Sequence, residues 1–301
     1  MVRTMVEIVE LAKKNEPVRL AVACAQDSYV LTAVVNAARL GLVKPVLTGD
    51  KAAICEILRE LGEAPESFPV YDAPDKQEAC MLAARLVRDH EADLIMKGIV
   101  DTAVIMRAVL NRENGLRGDG ILSHDLVLEI PGYDRLFHVT DSALNIAPSL
   151  ADKASIIRNA VKVAHALGNE CPRVAALCAV EKVNEKMPCT VEAAQLTEMN
   201  RRGEIAGCIV EGPLALDNAV SADAAAHKGI TSEVAGRADI LLAPDIEAGN
   251  VLNKSIEYFA HARKAGVIMG AKVPVALTSR ASSAEAKLYT IALSCLIARL
   301  N

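Results

Sequence analysis

Val18-Arg-Leu-Ala-Val-Ala23, then a helical pattern over about 28–40, then Pro45-Val-Leu-Thr48 is the stretch that decides the fold. A short β-branched and apolar run that gives way to a helix and then to a second short run is a βαβ unit. Its strands lie in a parallel sheet covered on both faces, so they read as near-continuous apolar runs. The rhythm continues with helical patterns over about 51–62 and 75–89, the run Ala92-Asp-Leu-Ile-Met96, and a helix over about 102–110. Between about 120 and 140 it changes: the extended runs Ile121 to Ile130 and Arg135 to Thr140 flank Pro131-Gly132, which predicts a hairpin on a Pro-Gly turn. Alternation then resumes with a helix over about 152–167, a strand over 174–179, a helix over about 190–202, a strand near Cys208, the run Ile240-Leu-Leu242 and a long helix over about 246–265. Gly266, Gly270 and Pro274 punctuate the approach to a last strand and helix. The expectation is two α/β/α domains, 1–146 plus a returning 268–301 and 147–267. Low-complexity linkers are absent, so the halves are expected to touch across a cleft, where α/β proteins commonly bind ligands.

Composition narrows the function classes. The 33 basic and 38 acidic residues leave a net charge of −5 without a basic tract, which argues against nucleic acid or an anionic membrane as main partner. No apolar stretch approaches the ~18 to 20 residues that span a bilayer, and the first residues carry acids where a signal peptide has a basic end. A cytoplasmic location is expected. The eight cysteines and six histidines are dispersed, without zinc-site or disulfide-framework spacing, so a protein-bound transition metal is not expected.

The strongest chemical signal lies near the end, in Pro274-Val-Ala-Leu-Thr-Ser-Arg-Ala-Ser-Ser-Ala-Glu285-Ala-Lys287. Thr278, Ser279 and Arg280 follow an apolar run and precede a helix whose start is predicted from Ser282 and Glu285 as a capping box. First-turn amides and a guanidinium in one small volume suit an oxyanion; a surface arginine beside an ordinary cap has the same sequence. Met96-Lys97-Gly98, ahead of Asp101-Thr102 and Arg107, reads either as a phosphate cradle at the carboxyl end of a strand or as a turn with a solvated lysine. Three more loops carry converging polar groups: Thr140-Asp141-Ser-Ala-Leu-Asn145, Glu181-Lys182-Val-Asn184, and Glu211-Gly212-Pro213. In the pattern over 246–265, Glu247, Asn250 and Lys254 recur at helical spacing, and Gly249 inside a helix signals close approach by another element or a ligand.

In their order along the chain, Lys97-Gly98, Thr140-Asp141 with Asn145, Glu181-Lys182-Val183-Asn184, Gly212-Pro213-Leu214-Ala215, Glu247-Ala248-Gly249-Asn250 and Thr278-Ser279-Arg280 resemble the phosphate acetyltransferase and phosphate butyryltransferase family, the butyryl branch more than the acetyl branch. The resemblance implies reversible acyl transfer between coenzyme A and inorganic phosphate, butyryl favoured and acetyl the alternative, in a ternary complex. It also implies a homodimer or higher homo-oligomer with the fold of isocitrate and isopropylmalate dehydrogenases, using acyl-CoA, phosphate and acyl phosphate and no permanent cofactor. By the same resemblance Arg280 holds the phosphate, Ser279 steadies the reacting centre, and Lys97, Gly98, Thr102, Arg107, Asn145, Lys182, Asn184, Gly212, Pro213, Glu247, Asn250 and Thr278 form the substrate site.

A free thiol near pKa ~8.5 needs a base or a positive field before it attacks. Acetyl-transferring relatives place an aspartate about six residues past the arginine, where this chain has Ala286. Glu285 and Asp141 are the candidates for that base, Glu285 being equally the capping-box residue. Two other readings are a metal-dependent dehydrogenase of the same architecture and a CoA-binding regulatory module without chemistry.

Overall fold

The computed structural model describes residues 1–279 and 282–300. The chain is mixed α/β and divides by contacts into two units, Met5–Gly120 with the segment from Ala265, and Ile121–Lys264 with Met1–Thr4.

The first unit opens with a helix absent from the sequence reading, α1 (Met5–Lys13), then β1 (Val18–Ala23), α2 (Ser28–Arg39), β2 (Val43–Gly49), α3 (Lys51–Glu60), the short β3 (Val70–Asp72), α4 (Lys76–Arg88), β4 (Leu94–Lys97) and α5 (Thr102–Val109). Helix starts follow local chemistry: Asp27, Asp50 and Asp75 each accept a first-turn amide hydrogen bond at α2, α3 and α4. β1, β2, β3 and β4 run parallel, with Val22 opposite both Leu47 and Met96. The chain returns to this unit through β10 (Arg263–Met269), β11 (Val275–Ala276) and α11 (Ala284–Ala298), giving the strand order β3-β2-β1-β4-β11-β10. β11 is parallel to β4 and antiparallel to β10.

The second unit holds β5 (Ser123–Glu129), β6 (Leu136–Thr140), α6 (Leu150–Ala166), β7 (Arg173–Leu177), α7 (Pro188–Arg201), β8 (Ile209–Leu214), the short α8 (Leu216–Val220) and α9 (Ala222–His227), β9 (Ile240–Leu242) and α10 (Ile246–Phe259). Its strand order is β5-β6-β9-β7-β8, antiparallel only between β5 and β6. The period of two divides its side chains between two cores. Val174, Ala176, Ile240 and Leu242 meet Ile156, Ile157, Ala160 and Leu196 on one face, while Ala175, Leu177 and Leu241 meet Leu128, Phe137, Val139 and Val234 on the other.

Two expectations need correction. The hairpin β5–β6, expected in the first domain, stands in the second unit because β6 pairs with β9, His138 opposite Ile240. The helix expected over 246–265 ends at Phe259: His261 takes a left-handed φ of 51°, which breaks the helix, and β10 begins. Burial decides that strand, since Ala265, Val267 and Ile268 are fully enclosed.

Candidate active site

In the first unit, candidate groups gather at the carboxyl ends of β4 and β11. Lys97 closes β4 and is 4% exposed, so its ammonium is not the solvated lysine of an ordinary turn. Its Nζ donates to the carbonyls of Gly98 (3.3 Å) and Val100 (3.1 Å), which ties the charge to the turn that leads into α5. Gly98 is required by packing: a Cβ there would stand 2.1 Å from the Cys24 carbonyl and 2.6 Å from that of Ala23. Thr102 opens α5 half-buried, and Arg107 lies exposed on the same helix.

Thr278 and Ser279 follow β11, and Thr278 is buried. The Ser282 amide donates to the Ser279 carbonyl at 3.1 Å. The expected capping box of Ser282 and Glu285 does not form. Ser283 is the cap, accepting from the Ala286 amide at 3.2 Å, while Ser282 stays buried in the turn and Glu285 accepts the Tyr289 hydroxyl at 2.7 Å. The chain enters the helix one residue later than the motif suggests because that turn uses Ser282. Arg280, the expected phosphate anchor, lies outside the described residues.

Sequence reasoning missed Lys287. It is 2% exposed on α11 and donates through Nζ to the carbonyls of Ser282 (2.7 Å) and Ser279 (3.3 Å). The available signal was a lysine four residues beyond the cap, in a helix otherwise apolar on nearly every face.

In the second unit the loop after β6 is tied by its own hydrogen bonds. Asp141 is buried and accepts from the amides of Ala143 (2.8 Å), Leu144 (3.1 Å) and Asn145 (3.3 Å) and from the Asn145 side-chain amide (2.6 Å). Asn145 Nδ2 also donates to the Leu122 carbonyl. The peptide between Thr140 and Asp141 is cis. Four donors from its own loop thus occupy both oxygens of this carboxylate. His124 Nδ1 lies 3.2 Å from Ser142 Oγ, and burial holds this imidazole below its ordinary range, against the opposing pull of Asp141 and Asp125.

The start of α10 packs on this loop, which explains Gly249. A Cβ there would lie 2.5 Å from the Asp141 carbonyl, and Asn250 Nδ2 donates to the Ser142 carbonyl at 3.2 Å. Glu247 is exposed on the same turn. Further along the helix Lys254 pairs with Glu257 at 2.9 Å, and Glu257 also takes the ammonium of Lys264.

Lys182 and Asn184 sit exposed on the loop after β7. Asn184 is used locally: its Oδ1 accepts the Lys186 amide, and its own amide donates to the Thr190 hydroxyl. Glu181 accepts from Asn218 and Lys228 at 3.4 Å. Gly212 and Pro213 lie inside β8 across a cis peptide, and a Cβ on Gly212 would meet that of Ala176 at 2.7 Å. At the carboxyl ends of β7 and β9 a small recess is lined by Ala176, Leu177, Cys189, Leu242, Ala243 and the buried Lys153, which pairs with Glu192.

The structure thus places Lys97, Gly98 and Thr102 between the end of β4 and the start of α5, Thr278 and Ser279 just after β11, and Glu285 in the first turn of α11. Asp141, Asn145, Glu247 and Asn250 form a cluster, and Lys182 and Asn184 share a loop. Among the described residues no group of three or more His, Cys, Asp or Glu could hold a metal ion, and no helix is long and apolar enough to cross a membrane.

Residues 73–295 match the family described as phosphate acetyl/butaryl transferase. The chain is 46% identical to the phosphate butyryltransferase of Clostridium acetobutylicum over 99% of both chains. It is 45% identical to the phosphate acetyltransferase of Thermotoga maritima, over 97% of this chain and 99% of that one. Among solved structures, a branched-chain phosphotransacylase from Enterococcus faecalis V583 superposes with a TM-score of 0.82 at 32% identity, covering 93% of this chain and 99% of that one.

Proposed function

Because the chain belongs to the phosphate acetyl/butyryl transferase family, we propose that it moves a short acyl group reversibly between coenzyme A and inorganic phosphate, with butyryl-CoA the preferred donor. The observation that carries this reading is full-length similarity to a phosphate butyryltransferase, 46% over 99% of both chains, with the motif residues in place from Lys97 to Ser279. The nearly equal 45% identity to a phosphate acetyltransferase makes acetyl-CoA the second substrate to test.

In the reaction the CoA sulfur attacks the acyl carbon of an acyl phosphate, the C–O bond to phosphate breaks, and the thiol proton leaves with phosphate or to solvent; the reverse reaction uses the same atoms. Arg280 would take the phosphate charge by paired N–H bonds and Ser279 would steady the reacting oxygen, both being donors to an anion. Lys97, Gly98, Thr102, Arg107, Asn145, Lys182, Asn184, Gly212, Pro213, Glu247, Asn250 and Thr278 would serve the substrates. Asp141 would shape its loop, given its four internal donors, which leaves Glu285 as the carboxylate open to a proton-accepting role. With both substrates held together no acyl-enzyme is needed, since contact between thiol and acyl carbon removes much of the entropic barrier. The protein would work in the cytoplasm as a homodimer or higher homo-oligomer, without a resident cofactor.

The test is a panel of acetyl-, propionyl-, butyryl- and isobutyryl-CoA with phosphate, followed by thiol release. Butyryl-CoA should give the highest kcat/KM, with acetyl-CoA ~10- to 100-fold lower, as ~1 to 3 kcal/mol of methylene discrimination allows. Phosphate-independent release, or CoA binding without turnover, would overturn the assignment.

A further inference from the structure

We propose that Lys287 is a positioning residue for the phosphate half of the reaction: its buried ammonium holds the loop that carries Ser279 in the geometry that binds phosphate. The inference rests on the acyl-transfer reading above.

Lys287 lies four residues past the Ser283 cap and is almost wholly enclosed. An ammonium has three donors and no acceptor, and removing it from water is costly unless those donors find partners. Here the partners are main-chain carbonyls of the adjacent turn, Ser282 at 2.7 Å and Ser279 at 3.3 Å. The Ser279 carbonyl therefore receives both Lys287 and the Ser282 amide. The Lys287 amide in turn donates to the Ser283 carbonyl, which begins the helical ladder. Turn, cap and ammonium form one assembly, and Ser279 cannot shift without stretching a charge-assisted bond.

Apolar stabilisation of α11 does not require a lysine. Tyr289, Ile291, Ala292, Leu293, Cys295 and Leu296 are buried along the same helix, and a methionine of similar length would fill this position at no cost in desolvated charge. What lysine adds is direction: it draws the Ser279 and Ser282 carbonyls to one ammonium and so fixes the main chain at Ser279. A side chain acting in this way governs phosphate and leaves the affinity for the acyl-CoA body unchanged.

The experiment compares the full-length wild type with Lys287→Met and Lys287→Arg, by steady-state kinetics with each substrate varied in turn and a folding check by circular dichroism. For Lys287→Met the expected result is a phosphate KM raised at least ~10-fold and a lowered kcat, with the acyl-CoA KM within ~2-fold of wild type. Lys287→Arg keeps the charge and donors but carries them on a planar, wider head, so a smaller rise in phosphate KM, ~3- to 10-fold, is expected; this variant decides the matter if Lys287→Met does not fold. A purely structural role predicts a lower melting temperature and fewer active molecules with an unchanged phosphate KM. That result, or an equal rise in both KM values, overturns the proposal. A wild type that releases no thiol from any acyl-CoA with phosphate overturns the reaction itself, whereas normal wild-type turnover with unaltered variant kinetics overturns only the role of Lys287.

Discussion

Asp141→Asn separates a proton-transferring carboxylate from a loop-forming one. Asp141 Oδ1 accepts the amides of Ala143 and Leu144 at 2.8 and 3.1 Å, and Oδ2 accepts the Asn145 amide at 3.3 Å and its side-chain amide at 2.6 Å. Asparagine can keep the first pair through its carbonyl oxygen, but it sets an NH₂ group against the two Asn145 donors. Hydrogen bonds to a charged acceptor contribute about 1.5 to 3 kcal/mol each, and the 3.3 Å contact is weak, so the substitution should cost the loop about 2 to 3 kcal/mol. At 1.4 kcal/mol per tenfold, that is roughly a 30- to 150-fold rise in local opening. Hydrogen exchange at the Ala143 and Leu144 amides reads this directly, and turnover measured on the same preparation should fall in step with lost protection. Exchange within ~3-fold of wild type beside a hundredfold or greater loss of kcat would refute the loop argument and return Asp141 to the chemistry.

Gly98→Ala forces a Cβ to within 2.1 Å of the Cys24 carbonyl, a backbone atom that cannot swing away, so a loss of more than ~3 kcal/mol in unfolding free energy is expected from chemical denaturation. Burial lowers the folded pKa of His124 relative to the unfolded chain, so its contribution to stability is fully present above about pH 6.5 and is lost as the pH falls below that value; His124→Asn should flatten stability between pH 7 and pH 5, measured as unfolding midpoint against pH. Burial pushes the thiols of Cys208 up to about 11 and of Cys295 up to about 12, whereas Cys171 is exposed; mass spectrometry after brief alkylation at pH 8 should find Cys171 modified and the other two modified only after unfolding.

Much of the architecture was legible because strands buried on both faces and capped helices leave local marks. The runs at Val18, Leu94 and Ile240 each became parallel strands, and the Pro131-Gly132 turn joins an antiparallel pair. What was misread had weak local signals. β3 is too short for a period, and β10 contains Gly266, which reads as punctuation but lies within the strand and donates its amide to the Thr290 hydroxyl of α11. At the site, Ser282 and Glu285 satisfy the capping-box spacing, yet tertiary packing puts Ser282 in a turn and gives Glu285 to Tyr289.

The sequence by itself determined the α/β class, the order of the elements and the family motifs, since periodicity and the order of short motifs are properties of neighbours along the chain. Only the tertiary structure decided which groups are available. It encloses Lys97 and Lys287 against main-chain carbonyls and engages Asp141 with its own loop. It also reveals Gly249 as the point where a helix meets the Asp141 carbonyl. Burial and hydrogen-bond partnership depend on segments distant in sequence, so no local pattern specifies them.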